Sequence, residues 1–360
     1  MTAEAIEKTL RGKGRGSRFF VLGRDVWSRL LEAKTVNRLN LVLTFLTLLA
    51  GTGSDHRLTK WSAKACEERL GLGRPRARLA IQELITADLV VISSASTKLA
   101  PQYVLPDIGE DDDPIFLPVQ IVTGFGQEAP VLRRVRETGD WLLLKMLIDL
   151  YGLVQVDQTY SVPLSALRQG DEDAVGKKIS EMGVHALWAL SLDQSLGAEG
   201  AWVTAHHDKK AAKPWSAFWA RVKTLQDIGA LWFEPWLFDG PEWDAEPLFP
   251  VDYSVLYTRQ PDDDVALLSA TVMEVSRELL EGREYLLDSY GADLVVSLPL
   301  HHRAPAVRGV AKLRVEADTP GCRLAYARRK TAIERWTRGY SQLLSDAQVG
   351  RYDRPLGAPE

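Results

Sequence analysis

The stretch ERLGLGRPRARLAIQEL, residues 68–84, changes character midway: two glycines flank Leu72, three arginines alternate with Pro75 and Ala77, and apolar residues then recur at helical spacing. Gly71-Leu72-Gly73 is a turn signal, and Pro75 suits a first helical turn because the N–H it lacks would have had no partner there. The spacing predicts a helix that buries Ala77, Ile81, Leu84 and Ile85 on one stripe and turns Arg76, Leu79 and Gln82 toward the opposite face, with Arg78 bordering the core. Three arginines at the very start of a helix fit an anionic partner, or else a plain solvated face.

Upstream, KWSAKACEERLG (60–71) predicts a helix with Ala63, Cys66 and Leu70 at core spacing, and NRLNLVLTFLTLLAG (37–51) a mostly buried helix ending at Gly51-Thr52-Gly53-Ser54-Asp55. Farther back, RFFVL (18–22) reads as a strand and RDVWSRLLEAKT (24–35) as a short helix. Downstream, LVVISSASTKLAPQYVL predicts two strands, Leu89 to Ser93 and Leu99 to Leu105, joined by a polar loop that carries Lys98.

Helix, glycine turn, helix and hairpin follow one another, and the segment WSAKACEERLGLGRPRARLAIQELITADLVV (61–91) resembles the winged-helix superfamily of helix-turn-helix proteins. The resemblance implies a recognition helix beginning at Pro75 and a wing at 89–105. The N-terminal end of such a helix enters the major groove, where arginine reaches guanine O6 and N7 or clamps phosphate. The candidate DNA contacts of this region are Lys60, Lys64, Arg74, Arg76, Arg78, Gln82 and Lys98. Winged helices also dock proteins, so a scaffold or adaptor subunit of a bacterial multi-subunit complex is the second reading.

The chain has 360 residues, 46% of them apolar, enough for two or three domains with cores. Its longest apolar run, LVLTFLTLLAG, is too short to span a bilayer, and the N-terminus lacks the apolar segment of a secretory signal. Only Cys66 and Cys322 are present, far apart, so a disulfide framework or structural zinc is not expected and a reducing cytoplasm is. The formal net charge is −4, unevenly spread: residues 1–90 carry 16 Lys and Arg against 9 Asp and Glu, residues 303–338 carry 10 against 3, and residues 91–302 carry 16 against 33. Basic ends around an acidic middle fit a protein that meets DNA with some faces and proteins with others.

PDIGEDDDP (106–114) reads as an acidic connector, with RRVRE at 133–137 beginning a helix. The first pattern then recurs in degenerate form: DWLLLKMLIDLYG (140–152), VPLSALRQ (162–169) and, after an insertion at 170–212, KPWSAFWARVKTLQDIGALWFEP (213–235). Aligning LITADL with LQDIGAL sets Leu84 against Leu225 and Leu89 against Leu231, and makes LWFEPWLF and LFPVDYSVLY the wing strands around Gly240-Pro241. This second unit is rich in tryptophan (Trp188, Trp202, Trp215, Trp219, Trp232, Trp236 and Trp243), suited to its own core or to a protein partner, while Lys209, Lys210 and Lys213 are candidate phosphate contacts.

Beyond it, VALLSATVMEVSRELLEGREYLLDSYG (265–291) predicts one long packing or oligomer helix, compatible with a homodimer, followed by strands LVVSL and GVAKLRVEA. The helix CRLAYARRKTAIERWTRGYSQLLSDA (322–347) carries Arg323, Arg328, Arg329, Lys330, Arg335 and Arg338 with Tyr326, Trp336 and Tyr340 interleaved, a basic helix that either tracks a phosphate backbone, with Arg328, Arg329 and Lys330 as its candidate contacts, or covers an acidic surface of its own middle domain. Tests for catalysis find little. No glycine-rich strand-to-helix turn or P-loop is present, Tyr326 and Lys330 lack a reductase context, Asp111-Asp112-Asp113 reads as linker, and the adjacent histidines His206-His207 and His301-His302 should point their rings apart. The expected fold class is α+β, mainly helical: tandem winged helices at 1–106 and 139–260, joined by an acidic region at 107–138, and a helix-rich α/β region at 261–360. The expected function is non-enzymatic binding of double-stranded DNA, without cofactor or metal, in replication or transcription regulation. The two-winged-helix layout is similar to that of plasmid and phage replication initiators in architecture alone.

Overall fold

The computed structural model describes residues 19–109, 112–154, 161–162, 174–190, 214–242, 244–252, 263–280, 282–283, 285–315, 320–354 and 356. The elements are, in order, β1 (Phe19–Leu22), α1 (Arg24–Glu32), α2 (Arg38–Ala50), β2 (Leu58–Thr59), α3 (Ala63–Leu70), α4 (Arg74–Thr86), β3 (Val91–Ile92), β4 (Tyr103–Val104), β5 (Ile115–Pro118), α5 (Gln120–Thr123), α6 (Val131–Thr138) and α7 (Trp141–Tyr151). There follow β6 (Ala174–Val175), β7 (Lys177–Met182), β8 (His185–Leu190), α8 (Pro214–Asp227), β9 (Leu231–Phe238), β10 (Pro247–Pro250), α9 (Asp263–Leu279), α10 (Tyr285–Tyr290), β11 (Leu294–Pro299), β12 (Ala306–Leu313) and α11 (Pro320–Gln348). The fold is α+β with small antiparallel sheets. Two compact units divide it, one made of Met1–Val154, His206–Ala230 and Leu313–Cys322, the other of Gln155–Ala205, Leu231–Lys312 and Arg323–Glu360.

In the first unit α2 is apolar on nearly every side and buried from Leu41 through Ala50. Asn37 caps it by accepting from the Asn40 N–H at 2.9 Å. Helices α3, α4, α6 and α7 pack around it. Ser62 caps α3, and Gly71, at φ 66°, ends it in the left-handed conformation that glycine takes at no steric cost. Strands β2, β4 and β3 form a sheet in that order, with Leu58 and Val91 both opposite Val104, and Thr59 and Ile92 both opposite Tyr103. The hairpin strands are shorter than the apolar pattern predicts because residues 93–102 fold on themselves. The Ser93 N–H donates to Gln102 O (3.0 Å), that of Thr97 to Ala100 O (3.1 Å), and that of Gln102 to Ser96 Oγ (3.0 Å).

The interval 107–138 is no linker. β5 pairs antiparallel with β1, Ile115 against Leu22 and Pro118 against Phe19, and α6 buries Val131, Leu132 and Val135. Part of the acidic run serves α1: Asp112 Oδ1 accepts from the Arg24 N–H at 3.1 Å and Asp113 Oδ2 from Arg24 Nε at 3.0 Å. Helix α7, expected to open a second module, belongs here too. Leu143, Leu144, Met146, Leu147, Ile148 and Leu150 are all buried, and an apolar face this wide needs more than one neighbour to cover it. Trp141 lies 6.4 Å from Trp27, whose Nε1 donates to Asp149 at 2.7 Å. Asp140 caps α7 and accepts from Arg221 of α8 at 2.6 Å. The expected module 139–260 is split between the units, 139–154 and 206–230 falling in the first and 155–205 and 231–260 in the second.

The likeness between α4 and α8 persists at their C-termini. The Leu89 N–H donates to Leu84 O after Asp88 at φ 53°, and the Ala230 N–H donates to Leu225 O after Gly229 at φ 65°, each bond 2.9 Å. The register thus sets Leu89 against Ala230 rather than Leu231.

The second unit holds two sheets, in the orders β10-β9-β12-β6 and β11-β8-β7. β9 and β10 form the hairpin predicted around Gly240-Pro241, with Phe238 opposite Pro247. Leu187, Leu237, Phe249, Val272, Val296 and Tyr340 share one core. The long helix predicted over 265–291 is two helices, broken around Gly282 at φ 72°. The predicted helix 162–169 lies, past Val162, outside the described residues, as do 170–173 and 191–212 of the expected insertion and the wing strand beyond Asp252, while the rest of the insertion forms β6, β7 and β8.

Candidate nucleic-acid interface

The site grows from the burial pattern of α4. Ala77, Ala80, Ile81 and Leu84 face inward at 5% exposure or less, while Arg74, Arg76, Arg78, Leu79 and Gln82 are exposed. At 100° per residue, Leu79 and Gln82 form the crest and Arg76 and Arg78 stand on its two flanks. Arg78 is thus clear of the core border at which its spacing put it, and Ala80 is buried where Ile85 was expected to be.

The cations differ in how committed they are. Arg74 Nε pairs with Glu67 Oε2 at 2.6 Å, and Lys64 Nζ lies 3.5 Å from Glu68 Oε1. Arg76 and Arg78 form no ion pair with a described residue. Burial raises the Tyr103 phenol above its ordinary pKa, and the nearby Arg78 charge pulls the other way. Lys60 is exposed just before α3, and Lys98 is exposed in the hairpin loop beside Leu99, whose side chain is 99% exposed.

Three further arginines near the α3–α4 turn carry no signal in the helix-turn-helix pattern itself. Arg69 lies over the Trp61 ring at 4.3 Å. Arg136 Nε donates to Leu70 O at 2.7 Å, and the guanidiniums of Arg133 and Arg136 flank Gly71. The run RRVRE is the one signal for the last two, masked by the linker-like composition of its interval. Between the first turn of α2 and α4 runs a groove of about 460 Å³, with Leu39 and Ala80 among its apolar lining and Arg76 and Arg136 among its polar one. Its one carboxylate, Glu83, already accepts from Thr35 Oγ1 at 2.6 Å and from the Val36 N–H at 3.1 Å.

Lys209, Lys210 and Lys213 lie outside the described residues. On α11, Arg328 and Lys330 are exposed, with Lys330 Nζ 3.8 Å from Glu334 Oε1. Arg329 turns inward instead: its Nη2 and Nε donate to Glu234 Oε1 at 2.8 and 3.1 Å. Glu234 Oε2 also accepts from Trp236 Nε1 at 2.8 Å and lies 3.4 Å from Lys312 Nζ. Burial works against the Glu234 charge, yet Lys312 and Arg329 together hold its carboxyl below the usual range, and burial holds the Lys312 ammonium below its own. Arg329 thus follows the second of the two roles read for this helix.

The His301 and His302 rings do not point apart. Their centroids are 4.5 Å apart, with His302 Nδ1 3.2 Å from Asp239 Oδ1. Among the described residues no group of three or more His, Cys, Asp or Glu could hold a metal ion. Burial pushes the Cys66 thiol up to about 11, which leaves it a small apolar core group at neutral pH.

What the α4 region offers chemically is a positively charged ridge with an apolar and an amide side chain at its crest. Among the described residues no helix is long and apolar enough to cross a membrane. Comparison with protein-family models, with curated proteins and with solved structures finds no match to the chain.

Proposed function

We propose that residues 37–105 form a winged helix and that the chain is a non-enzymatic double-stranded DNA-binding protein, of replication-initiator or transcription-regulator type. The observation that carries the reading is the pair Arg76 and Arg78, exposed on the two flanks of α4 and held by no ion pair with a described residue. The order α2, β2, α3, α4, β3, β4, with sheet order β2-β4-β3, supports it as the topology of a helix-turn-helix closed by a wing. In this role Arg76 and Arg78 reach base edges or phosphates, Gln82 reads a base edge, Leu79 lies against a thymine methyl group, and Lys60, Lys64 and Lys98 hold the backbone. The same reading makes α8 the counterpart of α4 in a degenerate second copy, supported by their shared C-terminal cap. Its wing strands β9 and β10 belong to the other compact unit.

Arg76→Ala tests the assignment, because its side chain is outside the core. Duplex binding should weaken by about 1–3 kcal/mol, with relaxed discrimination at one base pair if the contact is to a base edge, and the melting temperature should hold. If Arg76→Ala and Arg76→Glu both bind duplex like the parent at low salt, α4 does not enter a groove. The adaptor reading then stands. The groove beside Arg76 favours it, since exposed Val36 and Leu79 line it at 85% and 52% exposure.

A further inference from the structure

The run Arg328-Arg329-Lys330 cannot act as one surface. Consecutive helical residues are 100° apart, so three in a row fan across about 200°. Arg329 is taken up by Glu234, and Lys330 faces Glu334 on the neighbouring stripe. The helix nevertheless presents a coherent line of cations. Arg328, Thr331, Arg335 and Arg338 recur at i, i+3, i+7 and i+10, all are exposed, and the line holds no carboxylate. At 1.5 Å per residue it covers about 15 Å of helix. The buried stripe of Ile333, Trp336, Tyr340 and Leu343 holds the opposite side against the core of the second unit, which fixes the direction of the arginines. The Arg335 guanidinium lies over the Trp336 ring at 5.8 Å, so its shaft is partly ordered before any partner arrives.

We propose that this stripe is a second DNA-contacting surface, one that grips phosphate and reads no bases. The inference rests on the DNA-binding reading above. Its composition separates a nucleic acid from an acidic protein: a protein interface is anchored by large apolar or aromatic side chains at its centre, and between Arg328 and Arg338 the stripe has none. Guanidinium and hydroxyl donors alone are what backbone contact uses. The sequence shows Arg335 and Arg338 on this basic helix, and the burial pattern sets them on one exposed line with Arg328 and apart from Arg329.

The experiment is a salt titration of the full chain on two duplexes of unrelated sequence, followed by fluorescence anisotropy, for the parent, Arg335→Ala/Arg338→Ala and Arg76→Ala. For the stripe variant the slope of log K against log salt should flatten by about 1.8, which is about 0.9 for each of the two phosphates set free, equally on both duplexes. Its melting temperature should stay at the parent value. If the double variant loses stability, Arg338→Ala alone should flatten the slope by about 0.9. A stripe variant that binds like the parent while Arg76→Ala is weakened overturns the stripe and leaves the α4 reading intact. A loss confined to one duplex overturns it too, because it reports base contact. A parent chain with no salt-dependent binding removes both.

Discussion

A carboxylate buried at 8% exposure beside two cations is the most exacting environment in the described chain, and Glu234 occupies it. Burying charges is costly, and the pairing repays that cost only while every member is present. Glu234→Gln should therefore destabilise the fold by about 3–5 kcal/mol, since it leaves Lys312 and Arg329 without their counter-charge. Glu234→Leu combined with Lys312→Met and Arg329→Met, which removes every member of the cluster together, should recover much of the loss. The pH dependence has a definite sign. The folded carboxyl titrates below its unfolded value of about 4.3, so its contribution is present above that pH and fades as pH falls through the depressed value. Urea midpoints should separate parent and Glu234→Gln widely at pH 6 and converge below pH 4. Equal midpoints at pH 6 would show that the cluster contributes nothing net. The inward turn of Arg329 was legible: it stands four, seven and eleven residues before Ile333, Trp336 and Tyr340, on the buried stripe. Glu234 as its partner was not, because strand position gives the side of a sheet a residue faces and says nothing of what a distant helix brings to it.

Among the elements, α2 to α4 and the hairpin after them were readable because their signals are local: helical spacing, glycine turns and a proline at a helix start. The region 107–138 was misread for the opposite reason. Aspartates that support the start of α1 have the composition of a linker, and their partner Arg24 lies about ninety residues away. The stability consequence reverses the one a linker would imply. A fragment ending at Pro106 keeps β1 without β5 and exposes the faces of α2 that α6 and α7 cover, so it should show no cooperative urea transition and weak near-ultraviolet circular dichroism. A sharp two-state transition from that fragment would show that α2 to α4 and the hairpin suffice.

For the whole molecule, a net charge of −4 and an isoelectric point of about 6.0 do not prevent polyanion binding, because the field at a surface is set by where the charges lie. If the chain grips duplex through about six or more phosphates, affinity should fall on the order of a thousandfold between 50 and 200 mM salt. A nearly flat response would exclude such a backbone grip. The division into units was the least legible property of all, since nothing local in the sequence says that a chain leaving at Val154 returns at His206 and again at Leu313. That itinerary also sets a clock for biosynthesis. The Tyr151 hydroxyl donates to Arg314 O at 2.8 Å, and Arg314 itself lies over the Phe125 ring. At typical ribosomal speeds, roughly 8–30 s pass between the appearance of Val154 and that of Leu313. Throughout that wait the part made first stands without its closing segment, and it receives Leu313–Cys322 only just before the final piece of the other unit is made.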